Sequence, residues 1–202
     1  MRVLILFAHP AIAASRVQRH LYRAAQQVKN VTLHNLYQLY PDFDIDIKAE
    51  QALLAEHDII IWQHPWYWYS APPIVKQWQD LVLEHGWAYG SAGKQLLGKW
   101  AMNVITTGGP QTAYMQGGHN RYTIQQFLVP FEQTTRLCNM QYLPPFVIHG
   151  THKMSEADIS ICALQYQEFL LGLSTGRFTL DELQSCNYSN DLVPIPNSLQ
   201  NV

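Results

Sequence analysis

Apolar runs of strand length alternate with stretches of helical spacing from residue 2 to about residue 173. Arg2 to Ala8 is almost wholly apolar, as in a central parallel strand buried on both faces. It ends at His9-Pro10, where proline denies the ladder a further N–H. Ser15 reads as a helix N-cap, followed by the apolar face Val17, Leu21, Ala24, Ala25 and Val28. Val31 to Leu36 is a second strand, Leu39 to Ile47 a loop and 48–56 a short helix. A β-branched run makes 58–63 the third strand. Ile74, Val75, Trp78, Leu81 and Val82 then keep helical spacing up to Gly86. Trp100 to Thr106 is a fourth strand, and 111–120 is irregular. Thr123 to Leu137 is a helix bent or split by Pro130. Gln141 to His149 is a fifth strand, entered through Pro144-Pro145. A last helix starts at Ser155, with Asp158 where a capping box usually has Glu or Gln, and runs to about Leu173. Strands alternating with helices in this way predict an α/β doubly wound parallel sheet. The domain is 1–173. Residues 174–202 are rich in Asn, Ser and Pro and read as a loop-like extension that lies on the domain or a partner, or is disordered.

Composition narrows the function classes. With 48% hydrophobic and only 14% charged residues, the chain predicts a full core and some surface buried in an oligomer. A net charge of −2 argues against nucleic acid as a partner, which would want a basic face. No apolar run approaches the roughly 20 residues of a membrane span. A strand starting at residue 2 leaves no room for a signal peptide. The 3 cysteines are an odd number and widely spaced, which predicts neither disulfides nor a zinc site but a reduced, cytoplasmic location. Asp42, Asp44 and Asp46 lack the glycine and closing glutamate of a calcium loop and read as turn and capping residues. His149-x-x-His152 has near-metal spacing without further ligands, so no metal is expected.

Open parallel sheets bind ligands beyond the carboxyl ends of their strands, at the point where strand order reverses. In a sheet of order 2-1-3-4-5 the first and third strands flank that point. Three loops therefore converge there: 9–18, 64–72 and 106–119. The first offers His9, the Ser15 hydroxyl and the free N–H groups of a helix start, which suit a phosphate or are simply a capped helix. The second carries Trp66, Tyr67, Trp68 and Tyr69 in a row. So much ring surface in a loop covers something flat, meets a partner subunit, or plugs the sheet edge. The third, Thr106-Thr107-Gly108-Gly109, offers two hydroxyls and lets backbone approach a ligand closely. Together they fit a planar ring system with a phosphate tail, such as flavin mononucleotide.

At this point the sequence resembles a known family. The motifs are Ala8-His9-Pro10 with Ser15, Leu36-Tyr37 followed by Tyr40-Pro41-Asp42-Phe43-Asp44-Ile45-Asp46, and Gln63-His64-Pro65 with Trp68-Tyr69-Ser70. Gly86-Trp87-Ala88-Tyr89-Gly90, Thr106-Thr107-Gly108-Gly109 and Leu143-Pro144-Pro145-Phe146 continue the series in order. They resemble the NAD(P)H:quinone reductases of the DT-diaphorase type, and within them the ancillary proteins of glutathione-regulated potassium efflux. The resemblance covers roughly 1–173. It implies a flavodoxin-like three-layer sandwich with a five-stranded sheet of order 2-1-3-4-5, a homodimer, bound FMN or FAD, and NAD(P)H as co-substrate. Carried over by position, His9, Ser15, Arg16, Val17 and Gln18 hold the phosphate side, with Arg16 and Val17 acting through backbone N–H. Trp66, Tyr67, Trp68, Tyr69, Thr106, Thr107, Gly108 and Gly109 hold the ring. The family's Tyr and His, which handle charge on the reduced flavin, fall at Tyr114 and, one residue nearer than the family's spacing, at His119. The activity implied is two-electron, ping-pong reduction of a quinone or similar small electrophile. The alternative is an ancillary subunit that activates a potassium efflux transporter from the cytoplasmic face of the inner membrane. A one-electron flavodoxin-type carrier is a third reading.

Overall fold

A computed structural model describes residues 1–195. The elements run β1 (Val3–Phe7), α1 (Val17–Ala25), β2 (Val31–Asn35), α2 (Leu36–Leu39), α3 (Ile47–Ala55), β3 (Ile59–Pro65), α4 (Pro73–Val82), β4 (Trp100–Thr106), α5 (Ile124–Phe127), α6 (Val129–Leu137), β5 (Gln141–Tyr142), β6 (Phe146–Ile148), α7 (Glu156–Thr175) and α8 (Leu180–Gln184). The strands are parallel and ordered β2-β1-β3-β4-β5, with β6 also paired to β4.

Period-two alternation sorts the strand residues onto the two faces of the sheet. Leu4, Leu6, Ile60 and Trp62 pack with Ile74, Val75 and Trp78 of α4 and Phe131 of α6. Val3, Ile5, Phe7, Ile59 and Ile61 pack with Val17 and Leu21 of α1 and Tyr166 and Phe169 of α7. The result is three layers. Register matters most for function. Phe7 pairs with Gln63, Pro65 with Thr106, and Thr106 with Ile148. The loops after β1, β3, β4 and β6 therefore leave one edge of the sheet together.

Several elements differ from the sequence reading. The fifth strand is not continuous over 141–149. It breaks into β5 and β6 around Leu143-Pro144-Pro145, because two successive prolines give the ladder no N–H. Leu36, read as the last residue of the second strand, instead opens a helical turn, Leu36–Leu39; Asn35 caps it by accepting from the Gln38 N–H. Helix α1 begins at Val17, yet Ser15 still caps it, since its hydroxyl accepts from the Gln18 N–H at 3.1 Å. The helix read over 123–137 splits at Leu128 into α5 and α6, with Pro130 in the first turn of α6. Asp46 caps α3 through the Ala49 N–H. Ser155 and Asp158 complete a capping box at α7 despite the shorter carboxylate.

Within the described residues the extension packs on the domain. Helix α8 buries Leu183 completely against the α1/α7 face. Ser189 donates its hydroxyl to the Pro144 carbonyl at 2.7 Å. Asn190 accepts from the Val147 N–H at 2.8 Å and donates to the Val147 carbonyl at 3.1 Å, pairing β6 as a neighbouring strand would. The remainder of the segment read as loop-like, 196–202, lies outside the described residues. Among the described residues no helix is long and apolar enough to cross a membrane.

Candidate functional site

The four loops enclose a cleft of about 410 Å³ lined by His9, Ser15, Arg16 and Val17, by Trp66 and Tyr67, by Thr106 and Gly108, and by Thr151 and His152. This is within the size range of small-molecule sites.

Its first wall is the start of α1. Ala11 donates its N–H to Nδ1 of His9 at 3.1 Å, which places the proton of the neutral ring on Nε2. Burial lowers the His9 pKa, in keeping with a neutral imidazole. The N–H groups of Ala14, Ser15 and Gln18 are taken up within the turn. Those of Arg16 and Val17 find no acceptor among the described residues, so they and the helix dipole face the cleft uncompensated. The Arg16 guanidinium is turned away to Glu156 at 2.8 Å and the Met154 carbonyl at 2.9 Å. Gln18 sends its side chain inward, not to the cleft. Tyr166 donates to Gln63 at 2.9 Å, Gln63 to Gln18 at 2.9 Å, and Gln18 to Thr106 at 3.2 Å. This buried relay fixes the wall to β3, β4 and α7.

The second wall is aromatic. Tyr67 and Ser70 exchange backbone hydrogen bonds at 3.1 and 3.0 Å, with Trp68 and Tyr69 at φ +48° and +61° between them. A two-residue hairpin turn with both φ positive normally takes Asn-Gly. Side chains here cost about 1–2 kcal/mol per residue. Tyr69 offsets part of that by stacking on Phe127 at 5.2 Å and donating to Asn120 at 3.3 Å. Trp68 is 93% exposed at the tip. Trp66 is buried beneath, and its indole N–H has no partner among the described residues.

The third wall follows β4. The Thr107 hydroxyl donates to the Gly109 carbonyl at 2.9 Å and receives Nδ1–H of His149 at 3.1 Å. Burial drops the His149 pKa to about 4, so the ring is neutral, and its Nε2 has no partner among the described residues. Gly109 lies against Tyr114, whose ring would meet an added Cβ at 3.4 Å. Burial raises the Tyr114 pKa, with the Thr107 and Asn120 side chains beside its hydroxyl. The phenol is therefore a hydrogen-bond donor at neutral pH. His119 is exposed, and Asn120 is the neighbour of Tyr114.

Sequence reasoning missed the fourth wall. The loop after β6 closes the cleft with Thr151, which donates to the Thr107 carbonyl at 3.1 Å, and with His152. A Cβ on Gly108 would run into the His152 ring, so glycine is what lets this imidazole lie against the backbone. The signal was present: the His149-x-x-His152 pair begins where the last strand leaves the same sheet edge. Among the described residues no three His, Cys, Asp or Glu side chains converge on a metal-sized site.

The cleft thus pairs two free backbone donors at a helix start with a flat ring-lined wall and a glycine-smoothed strand end. A phosphate ester carrying a planar ring fits both ends. The family described as Flavodoxin_2, flavodoxin-like fold, matches residues 1–170. The glutathione-regulated potassium-efflux system ancillary protein KefG of Serratia proteamaculans is 46% identical over 169 residues, 84% of this chain and 92% of that protein. The general stress protein 14 of Treponema denticola, solved in complex with FMN, is 40% identical with a TM-score of 0.82, covering 86% of this chain and 99% of that one. An NADPH-quinone reductase from P. pentosaceus is 34% identical with a TM-score of 0.76, covering 84% of this chain and 97% of that one. The sheet order, the edge where the four loops meet and these similarities agree: the chain belongs to the Flavodoxin_2 family of flavodoxin-like proteins.

Proposed function

We propose that the chain is an FMN-dependent NAD(P)H:quinone oxidoreductase. The observation that carries this is the pairing of the Arg16 and Val17 N–H groups with the Trp66-Tyr67 wall in one cleft. The similarity to a protein solved with FMN and to an NADPH-quinone reductase supports it. FMN, when bound, accepts a hydride from NAD(P)H and passes two electrons to a quinone. Arg16 and Val17 bind the phosphate through backbone N–H, with the Ser15 hydroxyl and His9 Nε2–H beside them. Trp66, Tyr67 and Gly108 bound the ring and exclude water. Tyr114, held protonated by burial, offers its O–H to negative charge on the ring. The Asn120 amide backs it; His119 sits one residue off on the exposed surface. The strained, exposed Trp68 and the exposed Tyr69 and Tyr122 are the surface we assign to a second copy in a homodimer.

The test is an anaerobic one. The FMN-loaded protein should lose its visible flavin absorption on NADPH addition and regain it on adding duroquinone. A protein that takes up no FMN contradicts the proposal. A second reading has its own support in the 46% identity to KefG: an ancillary subunit docked on the cytoplasmic face of a potassium efflux transporter. That role predicts co-purification with the transporter's cytoplasmic domain, with or without turnover.

A further inference from the structure

The start of α1 carries a clasp as well as two free backbone donors. Arg16 turns its N–H to the cleft but sends its guanidinium sideways. Nε and Nη2 donate to Oε1 of Glu156 at 3.2 and 2.8 Å, and Nη2 also donates to the Met154 carbonyl at 2.9 Å. Those partners belong to the chain that leads from the Thr151–His152 wall into α7. The clasp therefore ties the wall before α1 to the wall after β6. The hydrogen bond from Arg16 holds the Glu156 carboxyl below its ordinary range, so the carboxylate is ionised at neutral pH. Among the described residues Arg16 is the one lysine or arginine that lines the cleft. The other flank of this end is Ala11 and Ala14, which bring no side-chain donor. Two backbone N–H groups and the Ser15 hydroxyl suit a single phosphate. A second phosphate joined to the first would find the nearest cation already paired and a carboxylate beside it.

We propose that the Arg16–Glu156 clasp restricts this cleft to a flavin with one phosphate, and that Glu156 is the residue that sets FMN above FAD. The choice rests on the flavin-binding reading and adds to it which of two flavins is taken and why. Discrimination is a difference of affinities, and a repulsive group placed against the wrong ligand supplies it. The carboxylate opposes the diphosphate of FAD directly, and it opposes it again by occupying the guanidinium that would neutralise the second phosphate. Both side chains are largely exposed, at 46% and 68%, so the ion pair adds little to stability and its use is in selection.

Equilibrium dialysis of the flavin-free, full-length protein against equimolar FMN and FAD, followed by chromatography of the bound flavins, reads this choice without turnover. The parent is expected to hold FMN over FAD by about tenfold. Glu156→Ala frees Arg16, with Arg19 one turn further along α1, to meet a second phosphate. It should raise FAD affinity roughly fivefold while FMN affinity stays within about twofold. The Ser155–Asp158 capping box is untouched by this change, so α7 keeps its start. Glu156→Lys puts a cation in the same place, should favour FAD further, and serves if the alanine variant folds poorly. Arg16→Ala opens the clasp but leaves the carboxylate, so it should gain no FAD affinity. A gain there equal to that of Glu156→Ala would assign the choice to bulk and overturn the role of Glu156. A parent that binds both flavins equally, or a ratio unmoved in both Glu156 variants, overturns the inference and leaves the oxidoreductase reading in place. A parent that binds neither flavin sinks both. A parent that selects FMN through Glu156 yet oxidises no NAD(P)H sinks the oxidoreductase reading alone.

Discussion

The two ends of the cleft are built on opposite plans. The end proposed for a phosphate is backbone, ordinary in geometry, and tied to the core by the buried relay Tyr166–Gln63–Gln18–Thr106. The ring end is side chain, left-handed in backbone at Trp68 and Tyr69, and largely exposed. An anion needs fixed dipoles, and fixed dipoles need a rigid support, so stability and binding coincide at the first end. A stacking ring needs area more than exact direction, so the second end tolerates strain, and stability and function separate there.

That contrast can be broken most severely at Gln63. Gln63→Leu strands the Gln18 carbonyl oxygen and the Tyr166 hydroxyl in the core. Leaving a buried polar group unpaired costs about 1–3 kcal/mol, so roughly 2–5 kcal/mol of stability should disappear, read from urea unfolding. A cost below about 1 kcal/mol would show that the relay does not hold the wall.

The next effect is on pH. His64 lies at the end of β3, fully buried, with Nδ1–H on the Pro65 carbonyl at 3.0 Å and Nε2 facing the Asn103 amide at 3.2 Å. Burial lowers its pKa from 6.5 to about 4. The unfolded chain then binds this proton more readily than the folded one. Stability is intact above the unfolded value of 6.5 and declines as pH falls toward 4, by on the order of 3 kcal/mol. His64→Gln should flatten that part of the curve; an unchanged slope would mean that His64 is already hydrated in the native state.

At the ring end the sign reverses. Trp68 is exposed at φ +48°, a conformation that Asn tolerates better than Trp. Trp68→Asn should raise stability by about 0.5–1 kcal/mol in thermal melts while weakening self-association. A loss of stability in the monomer would mean that the indole already has a structural contact.

The same contrast explains what could be read from the sequence. The strand end and helix start proposed for the phosphate were legible because β1, His9-Pro10 and the Ser15 cap are consecutive and local. The doubly wound parallel sheet was legible from alternation, and its order from the resemblance that the ordered motifs carry. Three things were not. The left-handed turn at Trp68-Tyr69 defies local preference, and the contacts of Tyr69 with Phe127 and Asn120 lie far along the chain. The place next to Tyr114 went to Asn120 because a one-residue spacing decides which side chain faces the phenol. The extension looked like loop because its Asn and Ser residues act as backbone substitutes on β6, a role that composition cannot distinguish from disorder.

The central claim is that one end of this cleft binds phosphate through the start of α1. Fluorescence titration of the apo-protein with FMN and, separately, with riboflavin tests it directly. Two charge-assisted N–H bonds, at about 1.5–3 kcal/mol each, predict FMN binding at least about a hundredfold tighter, with the gap narrowed by Ser15→Ala. Equal affinity for FMN and riboflavin would contradict the account.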